Sequence, residues 1–284
     1  MKIRIYIVCA VALLMACSPV KHLPENDRLY TGAGVQVEAD ELSKGERKEL
    51  AAFAKGLIRP LPNSKLAGIP YKLMVYQWTG GEATTKGVKN WLQNKLGEAP
   101  VLYSRVDPAF TSRLIQNELD NKGYFRAAVD YDTVQQFKKV KVNYTVHPGR
   151  VYRIAELAFP DDSTELAHAI RATQDASLLK SGRPYSLDLI IAERERIDAV
   201  LKEQGFYYFS PDQLLVQADS TVGDHQVNLR VIVKPETPRL AFEQYYVRDV
   251  RIEPAQDFRE GVLEEMLDFQ RNSLYNRTNH NLAL

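Results

Sequence analysis

Two stretches of the chain end in the same way: residues 119–125 read LDNKGYF, and 82 positions later residues 201–207 read LKEQGFY. A repeat at that distance limits the fold more than any other feature, because a recurring supersecondary unit needs a recurring packing solution. Ahead of each glycine lies an apolar pattern at helical spacing, with Leu114, Ile115 and Leu119 in one copy and Ile197 and Leu201 in the other. Gly123 and Gly205 stand where a left-handed C-cap ends a helix. After each come a strand, a polar hairpin and a second strand that alternates strictly: Val140, Val142, Tyr144 and Val146 match Val227, Leu229, Val231 and Val233.

The second copy is complete. YRIAELAF (152–159) reads as a strand, STELAHAIRAT (163–173) as a helix and GRPY (182–185) as a turn. A long helix from Ser186 to Gly205 then leads into a hairpin made by DQLLVQA (212–218) and VNLRVIV (227–233). In the first copy, folded structure is expected from about Leu29, with a weakly alternating strand followed by a helix within residues 43–60. Ser43 is its N-cap, and Leu50, Phe53, Ala54 and Leu57 share one face. An insertion at about 61–100 holds a predicted strand, Leu73 to Trp78, and a short helix around Lys86 to Leu96. Val88, Trp91, Leu92 and Leu96 share one face of that helix, flanked by Lys86, Lys89 and Lys95; it is expected to dock on its own domain, the alternative being a basic amphipathic helix on a membrane surface. A third copy opens when Tyr245, Val247, Val250 and Ile252 repeat the spacing of Tyr152, Ile154, Leu157 and Phe159, and FREGVLEEMLDF supplies its first helix. The predicted fold class is therefore α+β: tandem strand-helix-helix-strand-strand units over 29–150, with the insertion, and 151–238, then a partial unit over 239–284. Without its remaining partners, the partial unit is expected to be protease-sensitive from about Gln256 onward.

The N-terminus sets the compartment. Lys2 and Arg4 precede an apolar run of about a dozen residues, too short to span a bilayer and typical of a secretory signal over residues 1–16. It ends in Leu14-Met15-Ala16-Cys17, which resembles a bacterial lipobox and implies acylation of Cys17, with residues 17–28 as a lipidated tether. Acyl chains at about 0.8 kcal/mol per buried CH₂ anchor such a chain firmly. The following residues, SPVKHLPEN, lack an Asp directly after the cysteine and lack an acidic cluster, so the expected location is the outer membrane, facing the periplasm. Cleavage leaves Cys17 as the sole cysteine, which excludes internal disulfides and multi-cysteine metal sites. It also removes Lys2 and Arg4, leaving 35 basic against 36 acidic residues, a net charge of −1 that gives no footprint for nucleic acid.

No constellation of catalytic residues emerges. His22, His147, His168, His225 and His280 have no metal-binding spacing, and neither a nucleophile elbow nor a phosphate-binding glycine loop is present, so no enzyme activity, metal or cofactor is expected beyond the lipid on Cys17. ERERID (193–198) reads as charge pairing on an exposed helix, the alternative being an anion patch through Arg194 and Arg196. Asp132-Thr133-Val134, Asp162-Ser163-Thr164 and Asp219-Ser220-Thr221 match a three-residue pattern of Bacteroidetes periplasmic O-glycosylation, making Thr133, Ser163 and Ser220 candidate acceptors.

The repeat, with GRPY before the long helix and a Gly-aromatic pair after it, resembles the POTRA domain. POTRA arrays precede the barrel of the BamA/TamA superfamily of outer-membrane insertases. The lipobox, the Trp-containing insertion and the stretch GEAPVLY (97–103) make the chain similar to TamL, the TamA-like lipoprotein of Bacteroidetes. The resemblance implies a module that guides unfolded outer-membrane proteins or contacts a periplasmic, envelope-spanning partner. No barrel segments follow, so an incomplete member of the family is expected, the alternatives being an independent POTRA scaffold or a non-functional fragment. In POTRA-like folds the strand after the Gly-aromatic pair is an edge. That maps to Phe125, Ala127, Val129 and Tyr131 in the first copy and to Leu214 and Val216 in the second, and open edges pair with extended peptides.

Overall fold

A computed structural model describes residues 19–80, 87–248 and 274–275. The expected signal segment, Cys17, Val250, Ile252, the helix expected at 258–269 and nearly all of the stretch after Gln256 lie outside the described residues. The chain divides into two compact units, Met1–Asp120 with Arg126–Gly149, and Asn121–Phe125 with Arg150–Leu284.

In the first unit, β1 (Leu29–Val37) leads to α1 (Lys44–Leu57) and then to the insertion. The insertion carries α2 (Tyr71–Trp78) and α3 (Val88–Trp91), the latter continued by a π-helical turn, Leu92–Leu96. The unit closes with α4 (Pro108–Asp120), β2 (Ala128–Gln136) and β3 (Lys139–His147). Ser43 caps α1 in a reciprocal capping box with Glu46, and Leu50 and Ala54 face inward. The sheet order is β1-β3-β2, with β1 parallel and β2 antiparallel to β3. Parallel neighbours need a long crossover, and here α1 to α4 all travel in it. Val140, Val142, Tyr144 and Val146 all point into the core, where Ile115 and Leu119 of α4 are also buried, as the alternation and the helical spacing required.

Two expectations fail around the helix at Tyr71–Trp78. Leu73 to Trp78 is helical, with Leu73 and Gln77, one turn apart, both buried. Leu73 packs with Val20, Leu23 and Leu29, so a helical period serves this contact where a strand would have turned alternate apolar residues away from it. For the same reason the segment expected to be a free tether is part of the fold from Val20. His22 also donates its backbone N–H to Gln77 Oε1 at 3.1 Å. The insertion closes at its base on the buried Asn63, whose amide donates to the Ala99 carbonyl at 2.7 Å while its Oδ1 accepts from Val101 N–H at 3.0 Å.

The second unit repeats the order with β4 (Arg153–Ala158), α5 (Glu165–Arg171), α6 (Leu187–Glu203), β5 (Leu214–Asp219) and β6 (Gln226–Val233), in the sheet order β4-β6-β5. Both parallel pairs carry an irregularity at matching places, between Tyr30 and Ala33 and between Ile154 and Leu157. One core cluster joins Leu166 and Ile170 of α5 to Ile197 and Leu201 of α6, Leu214 and Val231; a second joins Ile154 and Ile190 to Val227 and Leu229.

The ERERID stretch is paired, but it is not an exposed face. Glu193 is fully buried. Arg196 binds it through two hydrogen bonds, at 2.7 and 2.9 Å, and also donates to the Thr173 carbonyl, while Leu178 N–H donates to Glu193 at 2.9 Å. This pair ties α6 to the connection that follows α5. Burial acts to raise the Glu193 carboxyl, but the Arg196, Leu178 and Ser177 hydrogen bonds outweigh it and leave the pKa below the ordinary 4.5.

The Gly-aromatic signature also has a mechanical role. Gly123 and Gly205 both hold positive φ, +87° and +88°. Tyr152 N–H donates to the Gly123 carbonyl, Tyr185 N–H donates to the Tyr152 carbonyl, and the Phe125 ring lies 5.0 and 4.8 Å from those of Tyr152 and Tyr185. The pattern recurs at Gly205, where Tyr245 N–H donates to its carbonyl, Tyr275 N–H donates to the Tyr245 carbonyl and Tyr207 sits 4.8 Å from Tyr275. Each clasp thus captures the tyrosine that opens the following repeat. Phe125 and Ala127 accordingly precede β2 and are not on the edge strand expected of them, because the aromatic is held by the clasp.

Two measurements test these packing arguments. Arg196→Met leaves a buried carboxylate without its cation and is expected to lower the unfolding free energy by about 3 kcal/mol in urea titration near neutral pH. Because the folded-state pKa of Glu193 is depressed, the pair's contribution is complete above about pH 4.5 and is lost as pH falls through the folded value, so the gap between native and variant should close in acid. Gly182 also has positive φ, +81°, but open space where a Cβ would stand, whereas a Cβ on Gly123 would meet the Tyr185 carbonyl oxygen at 3.0 Å. Gly182→Ala should cost about 1 kcal/mol and Gly123→Ala at least about twice that, and equal losses would remove the clasp from the account.

Candidate functional site

Each three-stranded sheet has two outer edges, and the structure treats them differently. The outer side of β1 is taken at its start: Tyr30 N–H donates to the Val101 carbonyl and Tyr103 N–H to the Arg28 carbonyl. The outer side of β4 is taken by the turn before α6, with Ile154 N–H donating to the Arg183 carbonyl and Gly182 N–H to the Ile154 carbonyl. No such strap crosses β2 or β5 among the described residues. Among the described residues these two strands are the open edges.

Backbone parity then says which groups an incoming chain would meet. Lys234 N–H donates to the Gln213 carbonyl, and in an antiparallel ladder bonded and non-bonded pairs alternate. With the register Leu215↔Ile232, Val216↔Val231 and Gln217↔Arg230, the bonded residues of β5 are Leu215 and Gln217, so the N–H and C=O of Leu214, Val216 and Ala218 point outward. In the first unit, Leu29 N–H donates to the Lys138 carbonyl and Glu38 N–H to that of Val146, so the even residues of β3 face β1 and the odd ones face β2. Their partners Ala128, Asp130, Asp132 and Val134 are bonded, which turns the backbone of Val129, Tyr131, Thr133 and Gln135 outward.

Among the residues named from sequence, Val129, Tyr131, Leu214 and Val216 therefore stand on the open edges with outward backbone. The side chains of Val129 and Leu214 are buried, and Val216 packs against both core clusters. What these three offer is main chain, whereas Tyr131 also exposes its ring. Ser112 Oγ already donates to the Val129 carbonyl, which leaves Tyr131, Thr133 and Gln135 as the accessible run on β2.

Sequence reasoning missed one feature of the same hairpin. Phe137 forms the two-residue turn between β2 and β3 with Lys138, at φ 52° and 86% exposed. Hairpins of this length reserve positive φ for Gly, Asn or Asp, so a bulky aromatic there is held at a conformational cost with almost no burial to offset it. With the exposed Tyr131 and Val134, it makes this rim apolar. The aromatic in the turn was visible in the sequence; its exposure and its strained backbone were not.

The three candidate acceptors fall in different settings. Ser163 and Ser220 are exposed, each between an Asp and a Thr whose N–H the Asp Oδ1 accepts, at 3.0 and 2.9 Å. The Thr hydroxyl and amide together hold the Asp162 and Asp219 carboxyls below the usual carboxylate range. Thr164 is also the N-cap of α5. Thr133 is half-buried within β2. Cys17 lies outside the described residues. Among those residues no three His, Cys, Asp or Glu side chains converge, and no helix is long and apolar enough to cross a membrane.

Neither a family model nor a curated protein matches the chain. Among solved structures it is similar to the third to fifth POTRA domains of BamA from Haemophilus influenzae, at 15% identity over 92% of this chain and 86% of that one, with a TM-score of 0.42. It is similar also to the N-terminal domain of Omp85 from Thermosynechococcus elongatus, at 14% identity over 92% and 84% with a TM-score of 0.33. BamA from Haemophilus ducreyi lacking POTRA domains 1–3 matches at 19% identity and a TM-score of 0.33, over 53% of this chain and 27% of that one. All three scores are low, and the topology and backbone parity of the two units stand without them.

Proposed function

We propose that this chain is a POTRA-type module that takes extended polypeptides onto the outer edges of β2 and β5 during outer-membrane protein assembly. Acyl chains on Cys17 hold it to the outer membrane with its folded units on the periplasmic side, as in the N-terminal part of a TamL-type insertase. The observation that carries this reading is the asymmetry of the edges: both units strap the first strand and leave the penultimate one open, with a run of backbone donors and acceptors unclaimed by the sheet. Main-chain pairing of this kind is indifferent to side-chain sequence, which suits a site that must accept many unfolded clients. The burial of the Val129 and Leu214 side chains agrees with that lack of selectivity, and the exposed apolar rim at Tyr131, Val134 and Phe137 gives weak, general affinity for the alternating residues of barrel strands. The strand-helix-helix-strand-strand order of the second unit and the lipobox support the family reading. Ser163 and Ser220, both exposed, are the proposed glycan acceptors in this compartment, and intact mass of the native protein reads both the lipid and any sugar.

Proline separates the two sides of one strand. Val216→Pro removes an outward N–H and leaves the ladder to β6 whole, so the unit should stay folded while photo-crosslinking to an extended peptide of alternating apolar residues drops at least about threefold. Gln217→Pro removes a ladder bond and should instead lower stability by about 3 kcal/mol. Unchanged crosslinking in Val216→Pro would exclude β5 as the edge used, and Tyr131→Pro applies the same test to β2.

A further inference from the structure

The apolar face that the sequence places on residues 88–96 is turned outward, against the expectation that it docks on its own domain. Gln93 is the buried residue of this stretch, at 3% exposure, whereas Val88 is 75% exposed and Trp91 and Leu96 are also on the surface. Trp78, at the end of α2, is 70% exposed. These are both of the chain's tryptophans. Lys89 and Lys95 are exposed beside them. A helix that hides a glutamine and presents Val, Trp and Leu between lysines has the composition of a surface-lying amphipathic element.

The chain itself indicates what covers this face. Val20 and Leu23 are buried against Leu29 and Leu73, and the His22 amide is bonded to Gln77, the residue before Trp78. The fold therefore takes hold at Val20, three residues after Cys17. Three extended residues reach only about 10 Å, comparable with the headgroup layer of one leaflet, about 5–8 Å. Acyl chains on Cys17 would thus bring α2 and its neighbours to the bilayer surface with little slack.

We propose that the end of α2 and the stretch from Val88 to Leu96 lie on the lipid surface, with Trp78 and Trp91 in the headgroup layer and Lys89 and Lys95 against phosphates, so that the anchor fixes the unit's orientation as well as its location. The occupant is a bilayer with anionic lipid, which matches an interfacial Trp pair flanked by ammonium groups. This inference rests on the lipid-anchor reading, and its test keeps the two apart.

The chain from Cys17 onward has one thiol, which can be coupled to maleimide-bearing phospholipid in vesicles of phosphatidylethanolamine and phosphatidylglycerol, whether or not the native cysteine is acylated. Because both tryptophans lie in the proposed contact, their emission is the readout. Vesicles carrying brominated acyl chains should quench it about twofold or more, with a blue shift, and the Lys89→Glu/Lys95→Glu double substitution should restore most of the intensity. Emission that brominated lipid leaves unchanged would overturn the proposal. So would a blue shift that grows with protein concentration in the absence of vesicles, since a second copy would then cover the face. Intact mass of the native protein reports acylation separately: a missing lipid adduct counts against the anchor, whereas an unquenched coupled chain counts against the lipid-facing surface.

Discussion

The parallel pairing of the first strand of each unit with its last strand determines most of the architecture. A parallel neighbour cannot be reached by a tight turn, so the chain must cross over, and the crossover carries α1 to α4 in the first unit and α5 and α6 in the second. The last strand is thereby placed in the centre, and the strand before it is pushed to the rim. The same topology brings a loop back alongside the first strand, at residues 101–103 in one unit and 182–184 in the other, where it takes the start of that edge. One open and one strapped edge per unit thus result from connectivity rather than from special residues at the rim.

The second unit was legible nearly element by element, because its helices and strands each keep one clear period and are punctuated by Thr164, Ser186 and Gly205. The insertion was not. The apolar run from Leu73 to Trp78 is too short for periodicity to separate strand from helix, and the partner that decides it, the Val20 and Leu23 cluster, lies some 50 residues earlier in a segment that looks like a linker. ERERID illustrates the converse problem. Its i,i+3 pairing could be read from spacing, but the burial of Glu193 depends on Thr173 and Leu178 from another element.

Of the candidate site, the strands and four of their residues were legible, whereas the direction of each backbone group was not. That direction is fixed by one bonded pair in each ladder, such as Lys234 with Gln213, and no side-chain pattern encodes it. Phe125 was misplaced because Gly-aromatic pairs look like the start of a strand, when the second aromatic is in fact held by two tyrosines far along the chain. Phe137 and the outward tryptophans share a different character. Each departs from a local rule, positive φ kept for small residues in one case and apolar faces turned inward in the other, and such departures are expected where a surface serves something other than the fold.

The central claim is that extended polypeptides pair with the outward backbone of β2 and β5. Residue-resolved amide hydrogen exchange of the full chain, alone and with an extended peptide of alternating apolar residues, tests it most directly. Tyr131, Thr133, Gln135, Val216 and Ala218 should exchange quickly in the free protein, beside slow Asp130, Asp132, Leu215 and Gln217, and the fast set should slow when peptide is added. Peptide binding that leaves the outward amides as fast as before would contradict the account.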